Sequence, residues 1–266
     1  MGPTGTGKTE LCKQIAKHIF TDESFIRFDM SEFNEPHSIS KLIGSPPGYV
    51  GYNSGGCLTE KVKNNPFCVI LFDEVEKASK DVLNILLQIM DDGRLSDSSG
   101  ETIDFRNCIV VMTSNLGCKD YMTKNTIGFT QEVKDSTHIT KAVKEFFSPE
   151  FIGRLDNILN FNPVDRNIFE QILHKDLKTF IEQYETSFGI KIDVKKNAIQ
   201  HMIDDWFDIE NGARFIEKNI DKNLGELFLY SDIQPDSIVD VDFNDKFVLE
   251  VKNEKSCKRE YCEESV

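Results

Sequence analysis

The chain has 266 residues, enough for one large domain or for a large domain with a small second one. Its 31 Lys and Arg residues are outnumbered by 45 Asp and Glu, and the net charge of −14 argues against a duplex nucleic-acid binder, which must neutralise phosphates. No apolar run approaches the roughly 18 residues of a membrane span, and no signal-peptide pattern opens the chain. The seven cysteines form no CxxC pair, so we expect reduced thiols in a cytoplasmic or organellar compartment.

The first 161 residues alternate between strand-like and helical patterns. Two of the strand-like runs, 67–72 and 108–112, are continuously apolar, as is typical of strands buried on both faces of a parallel sheet. The predicted elements, in order, are helix 9–20, strand 25–28, strand 67–72, helix 82–90, strand 108–112, helix 138–147 and strand 155–161. This alternation predicts an α/β fold, a parallel sheet with helices on both faces.

The pattern changes near residue 162. The following elements are helix 165–184, strand 190–192, helices 197–206 and 212–229, and strands 238–243 and 247–251. We therefore predict a large domain over residues 1–162, a small α+β domain over 163–251 and a polar tail over 252–266.

A phosphate-binding loop is predicted at the start of the chain. The residues Gly2-Pro3-Thr4-Gly5-Thr6-Gly7-Lys8-Thr9 fit the pattern G-x-x-x-x-G-K-[ST], and a predicted helix follows. The glycines let backbone N–H groups surround a phosphate at the helix N-terminus. Lys8 would reach the β- and γ-phosphates of ATP, and the Thr9 hydroxyl would bind Mg²⁺.

Polar residues end two of the buried strands. Asp73 follows the first, where it would hold Mg²⁺, and Glu74 would orient and deprotonate the attacking water. Asn115 follows the second strand and would position that water or contact the γ-phosphate. Each residue alone is common after a strand, so the prediction rests on their combination with the phosphate loop.

The chain resembles AAA+ ATPases, and most closely the second ATPase module of the Clp unfoldases. The resemblance covers residues 2–251 and rests on the segments GPTGTGKTE, SKLIGSPPGYVGY, VILFDEVEKA, VVMTSNLG, SPEFIGRLDN and NGARFIEKNI. It implies an AAA+ sheet with a small C-terminal lid domain. It also implies a homo-hexamer that hydrolyses ATP to move protein substrates.

The resemblance assigns two arginines. Arg154 matches the arginine finger, which would reach the γ-phosphate bound by the neighbouring subunit, although Gly153 stands where the family usually has Asn. Arg214 matches the second sensor, which would contact phosphate within its own subunit. If Arg154 of each subunit reaches the phosphate bound by the next subunit, the subunits make head-to-tail contacts, and such contacts close into a ring.

The resemblance also assigns two loops. Gly48, Tyr49, Val50 and Gly51 match the pore loop that grips an unfolded polypeptide. The tripeptide Ile127-Gly128-Phe129 matches the loop by which protease-coupled members dock on a ClpP-like peptidase. The alternatives are an apolar loop packed on its own domain, and a disaggregase that uses no peptidase.

A competing hypothesis concerns the start of the sequence. A strand normally precedes the phosphate loop, and here only Met1 precedes Gly2. We therefore expect the first central strand of the sheet to be missing, which would orphan about ten buried backbone groups. On this hypothesis the chain is a truncated, non-catalytic fragment with weak or no ATPase activity and poor hexamer formation.

Overall fold

The computed structural model describes residues 1–45, 55–118, 137–209, 211–231 and 233–253. The chain divides into two compact units, the first made of residues 1–3 and 7–162 and the second of residues 4–6 and 163–266. Among the described residues, every helix is too short or too polar to cross a lipid bilayer.

The first unit is an α/β arrangement. Its helices and strands are α1 (Lys8–Ile19), β1 (Phe25–Asp29), α2 (Ile39–Ile43), α3 (Cys57–Asn64), β2 (Val69–Asp73), α4 (Lys80–Asp92), β3 (Arg94–Ser96), β4 (Thr102–Asp104), β5 (Ile109–Met112), α5 (Thr137–Phe146) and α6 (Pro149–Gly153). Short 3₁₀ turns occupy Asp22–Ser24, Met30–Phe33, Pro36–Ser38 and Val75–Lys77.

A parallel sheet of strand order β1-β2-β5 forms the centre of this unit. All five residues of β2 are buried, because both faces of the strand are covered. Val69 and Leu71 pack with α1, whereas Ile70 and Phe72 belong to the larger cluster that includes α4 and α5. The predicted α/β class, with helices on both faces of a parallel sheet, is confirmed.

The predicted strand over 155–161 is not formed, although Met1 makes two backbone hydrogen bonds with this segment. A strand exists only where a neighbour pairs with it along its length, and here the contact is confined to one residue. The structure also adds an antiparallel hairpin, β3–β4, in which Leu95 and Ile103 are buried. Each strand of this hairpin has three residues, too few for an alternating pattern in the sequence to indicate a strand.

The second unit combines helices with a mixed sheet. Its elements are α7 (Arg166–Phe188), β6 (Lys191–Val194), α8 (Lys196–Trp206), α9 (Ile216–Ile220), α10 (Glu226–Tyr230), β7 (Ser237–Asn244) and β8 (Lys246–Asn253). β6 runs parallel to β7, and β7 forms an antiparallel hairpin with β8. The predicted small α+β fold is confirmed.

The predicted helix over 212–229 is shorter and irregular. Gly212 has a φ of 55°, a left-handed conformation that ends rather than begins a right-handed helix, so α9 starts only at Ile216. A π-helical turn, Asp221–Gly225, then separates α9 from α10. The apolar periodicity was sufficient to predict a helical segment but not its first residue or this turn.

Candidate active site

The phosphate-loop motif leads into α1. Gly7, which precedes the helix, has a φ of 87°, and no side chain caps the first turn. The first amides of a helix lack intrahelical partners and are free to donate to an anion. Gly2 also has a positive φ, of 147°, so the motif uses backbone conformations that favour glycine at both ends.

Lys8 lies at the centre of the polar cluster. Its ammonium donates to the carbonyls of Gly2 and Pro3, each at 2.6 Å, and to Oδ1 of Asn115 at 2.9 Å. Partial burial lowers the pKa of Lys8, because desolvation disfavours the ammonium. The cation is thus held by three oxygens at the mouth of the phosphate loop.

Asp73 ends β2 and is 8% exposed. Its Oδ2 accepts from Arg27 of β1, from Nη2 at 2.6 Å and from Nε at 3.0 Å. Its Oδ1 accepts from the hydroxyl of Thr113. A carboxylate offers about four lone-pair sites, two on each oxygen. The two bonds from Arg27 occupy those of Oδ2, so Oδ1 keeps acceptor capacity for a further ligand.

Glu74 has a φ of 57°, which is unusual for a residue other than glycine. Its backbone N–H donates to Oγ1 of Thr113 at 3.1 Å, which fixes the turn against the neighbouring strand. Its carboxylate accepts from Nδ2 of Asn115 at 3.2 Å and pairs with Lys77. The left-handed turn therefore directs Glu74 towards the end of β5.

Asn115 joins the separate parts of the site. Its Oδ1 accepts from Lys8, its Nδ2 donates to Glu74, and its backbone N–H donates to Glu76 at 3.0 Å. The two side-chain contacts orient both ends of the amide, so one side chain connects the phosphate loop with the acidic turn. The structure thereby brings together Lys8, Asp73, Glu74 and Asn115 within the first unit.

The two predicted arginines lie elsewhere. Arg154 follows α6, and its guanidinium pairs with Asp91 near the end of α4. Arg214 belongs to the second unit, where it is exposed in the turn before α9. Within the first unit, Arg154 makes no described hydrogen bond or ion pair with the Lys8–Asn115–Glu74 cluster.

Family comparisons agree with this geometry. A family model described as "AAA domain (Cdc48 subfamily)" matches residues 1–158. The chain belongs to the AAA family. A second model, "C-terminal, D2-small domain, of ClpB protein", matches residues 164–241. The AAA family consists of ATPases, so membership implies ATP binding.

Several curated relatives of this AAA chain are Clp proteins. Chaperone protein ClpB of Rickettsia conorii is 43% identical over 251 residues, which are 92% of this chain and 29% of the relative. The ATP-dependent Clp protease ATP-binding subunit ClpC of Staphylococcus epidermidis is 42% identical over 240 residues, 86% of this chain and 29% of the relative. The ClpA homolog protein of Fuscovulum blasticum is 43% identical over 259 residues, 94% of this chain and 32% of the relative. The chain thus spans about a third or less of the length of these relatives.

The residues of the AAA site fit a nucleotide phosphate chain with Mg²⁺. The uncapped start of α1 and the ammonium of Lys8 suit phosphate oxygens. The hydroxyl of Thr9 and the carboxylate of Asp73 are the oxygen ligands that Mg²⁺ prefers, directly or through water. In the described residues, no cluster of three or more His, Cys, Asp and Glu side chains suggests any other metal centre.

The pore loop, Gly48-Tyr49-Val50-Gly51, and the docking tripeptide, Ile127-Gly128-Phe129, lie outside the described residues. Their assignments remain predictions from the resemblance.

Three contributors to the AAA site were not predicted. Arg27 pairs with Asp73. The hydroxyl of Thr113 donates to Asp73 and accepts from the backbone N–H of Glu74. The carboxylate of Glu76 accepts from the backbone N–H of Asn115. The second oxygen of Glu76 is buried with no hydrogen-bond partner in the described part of the chain. Arg27 carried a signal, because it is the one charge within the apolar run 25–28. For Thr113 and Glu76, the sequence carries no signal except that they stand close to Asn115 and Glu74 in the chain.

Proposed function

We propose that this chain is the ATP-hydrolysing module of a protein unfoldase that works as a homo-hexamer. The observation that carries the proposal is the bridge made by Asn115 between Lys8 and Glu74. It unites a phosphate-binding cation, a candidate general base and a polar sensor in one cluster. That is the combination an ATPase needs for positioning and activating water beside a γ-phosphate.

Each residue of the cluster has a distinct role in this proposal. Lys8 exchanges its loop carbonyls for the β- and γ-phosphates, while Thr9 and Asp73 hold Mg²⁺. When bound, Mg²⁺ neutralises charge on the phosphate oxygens. Glu74 accepts a proton from the attacking water, and Asn115 holds Glu74 in the orientation for that transfer.

The two arginines couple hydrolysis to assembly. We assign Arg154 to the γ-phosphate held by the adjacent subunit. The guanidinium of Arg154 must then leave its ion pair with Asp91 or contact Asp91 and the phosphate together. Arg214 contacts phosphate within its own subunit and passes the nucleotide state to the small domain. Both assignments are supported by the family motifs.

The proposed substrate is an unfolded or tagged polypeptide. Tyr49, between Gly48 and Gly51, would pack against any extended chain without reading its sequence. Repeated hydrolysis around the ring would pull that chain through a central pore. The support is the Clp resemblance of the segment that surrounds Tyr49.

Two fates for the translocated chain have support. Delivery to a ClpP-like peptidase is favoured by Ile127-Gly128-Phe129 and by relatives named as Clp protease subunits. Disaggregation without a peptidase is favoured by the ClpB small-domain match and by the ClpB relatives. The family match is compatible with both.

One experiment tests the function and separates these fates. The chain, in its ring-forming context, is given ATP and a folded fluorescent protein carrying a disordered tail, with and without a ClpP-like peptidase. Loss of fluorescence that depends on ATP and is abolished by Tyr49→Ala supports translocation, with Tyr230→Ala, at an exposed position at the end of α10, as the matched control. Degradation that disappears when residues 127–129 are deleted, while unfolding persists, supports peptidase delivery. Unfolding without degradation supports disaggregation, and no ATP-dependent unfolding overturns the proposal.

A further inference from the structure

Two cysteine thiols stand side by side at the amino ends of β2 and β5. Cys68 directly precedes β2 and Cys108 directly precedes β5, and their sulfur atoms are 3.7 Å apart. Asp73 and Asn115 of the candidate active site lie at the other, carboxyl ends of the same two strands. The thiol pair is therefore separate from the site already described.

The backbone holds both cysteines in register. β2 and β5 run parallel with Val69 opposite Ile109, so Cys68 stands opposite Cys108 one residue earlier. The N–H of Ile109 donates to the carbonyl of Cys68 at 2.9 Å, which continues the ladder to the cysteines. Opposed residues of parallel strands point to the same face of the sheet, and their main chains lie about 4.8 Å apart. This spacing falls within the range of about 4.4–6.8 Å that the Cα atoms of disulfide-linked cysteines show.

The two thiols differ in their access to solvent. Cys68 is fully buried in the hydrophobic core of the first unit, whereas Cys108 is half-buried. The Cys108 thiol also donates to the carbonyl of Pro66 at 3.4 Å, in the exposed turn that leads into β2. A small oxidant can therefore reach Cys108, and the second thiol lies directly behind it.

The contact between the two sulfurs changes the ionisation of both thiols. A hydrogen bond from Cys108 lowers the pKa of Cys68, and the same contact raises the pKa of Cys108. The pair thus loses a first proton more readily than an isolated thiol does and retains the second. Since the sulfurs are 3.7 Å apart, the retained proton can pass between them and leave the thiolate on Cys108. The thiolate is the form of cysteine that reacts with oxidants.

The other thiols of the described residues have no second sulfur at hydrogen-bonding distance. Cys12 and Cys118 each donate to a main-chain carbonyl of their own segment. Burial raises the pKa of Cys12 to about 11, and it also raises the pKa of Cys57 and of Cys118. These thiols therefore stay protonated at neutral pH, and each lacks a neighbouring thiol with which to form a disulfide.

We propose that Cys68 and Cys108 form a reversible redox site, in which a hydroperoxide converts the two thiols into one disulfide between β2 and β5. The thiolate of Cys108 attacks the terminal oxygen of the hydroperoxide, the O–O bond breaks, and the departing alkoxide or hydroxide takes up a proton. The thiolate of Cys68 then attacks the sulfur of the resulting sulfenic acid, an S–S bond forms, and the departing hydroxide leaves as water. The two thiols lose two protons and two electrons, which reduce the hydroperoxide.

A small dithiol reverses the reaction by thiol–disulfide exchange and is itself oxidised to a disulfide. When formed, the Cys68–Cys108 disulfide joins the amino ends of the two strands that carry Asp73 and Asn115 at their carboxyl ends. The inference concerns the first unit alone and is independent of the proposed function.

The test treats the reduced 266-residue chain with hydrogen peroxide, blocks the remaining thiols and maps the cysteines by mass spectrometry of its peptides. We expect two peptides joined through Cys68 and Cys108, lighter by two hydrogens, and their complete separation by dithiothreitol. The joined peptides should form at least about tenfold faster in the native chain than in the same chain unfolded in urea, where only chain closure brings the thiols together. Absence of the joined peptides from the native chain, or formation no faster there than in urea, overturns the proposal.

Two variants separate the roles of the thiols. Cys68→Ala should stop at the sulfenic acid of Cys108, which a cyclic 1,3-diketone traps. Cys108→Ala should leave Cys68 unmodified, because that thiol is fully buried. Cys57→Ala, at a half-buried thiol on α3, is the matched control and should form the joined peptides at the parent rate. Sulfenic acid at Cys68 in the Cys108→Ala chain would contradict the order of attack, and the comparison of native with unfolded chain tests the pair without any substitution.

Discussion

The ammonium of Lys8 donates to the side chain of Asn115 at 2.9 Å, although the two residues are 107 positions apart in the sequence. The other end of that amide donates to Glu74. An ammonium cannot accept a hydrogen bond and a carboxylate cannot donate one, so the two partners fix which way the amide points. Asn115 is therefore oriented by charge on both sides before any nucleotide arrives.

The first prediction follows from that orientation. Asn115→Ala removes the contact that holds Glu74 and should lower kcat for ATP hydrolysis by about 10²-fold, as loss of a preorganised polar contact does elsewhere. ATP affinity should change less, because the phosphate loop and Lys8 remain. Steady-state ATPase rates and nucleotide binding would be measured beside Asn65→Ala, a variant at a distant amide that bonds Ser24. An unchanged kcat in Asn115→Ala would remove Asn115 from the site.

Glu74 should control hydrolysis but not binding. Glu74→Gln keeps an oxygen that can accept from Asn115 but loses the base, so hydrolysis should fall by about 10²–10⁴-fold. The variant should retain bound ATP, which is measured by filtration of labelled nucleotide. Glu10→Gln, on the exposed first turn of α1, is the matched control. A Glu74→Gln enzyme that hydrolyses normally would contradict the assignment.

Arg154 should act across a subunit boundary. Arg154→Ala should lower ATPase activity by about 10³-fold, the lower end of the effect of arginine fingers. Mixing inactive Arg154→Ala and Glu74→Gln subunits should restore part of the activity, because some interfaces then combine an intact Arg154 with an intact Glu74. Asp91→Asn, which breaks the ion pair within one chain, should stay active. If Asp91→Asn is equally inactive and mixing restores nothing, Arg154 has only a structural role.

The second unit should show a pH-dependent stability that depends on Asp240. This residue is 3% exposed, and its Oδ2 pairs with Lys195 at 2.7 Å and with Lys252 at 2.5 Å. Hydrogen bonds from these two lysines lower the pKa of Asp240 below its ordinary value of 3.8. The resulting stabilisation is complete above pH 3.8 and is lost as the pH falls from there through the lowered pKa.

Asp240→Asn should therefore lower the thermal midpoint at pH 7 by a few degrees. The difference from the parent chain should narrow below pH 3.8, where the parent carboxylate also becomes protonated. Unfolding is followed by circular dichroism across this range. Asp205→Asn, an exposed position on α8, is the control and should leave the midpoint unchanged at every pH.

Part of the site was predictable because its signals are local. The eight residues from Gly2 to Thr9 form one continuous motif, and Asp73 and Glu74 directly follow an apolar strand. The sequence also predicted that Asn115 lies at the same edge of the sheet as Asp73 and Glu74, since the carboxyl ends of parallel strands meet at one edge. The partners of these residues were not predictable: a single charge in the run 25–28 marks Arg27 but does not show whether it reaches Asp73 or solvent.

The sequence by itself determined the order of elements, the α/β class and the identity of the phosphate loop, because each depends on neighbours within about ten residues. Only the tertiary structure decided that Thr113 binds both Asp73 and the Glu74 amide, since that contact requires β2 and β5 to be adjacent. It also decided that 155–161 is not a strand, because strand formation depends on a hydrogen-bonded neighbour and not on apolar residues alone. Composition can favour an extended segment, but only the fold supplies its partner.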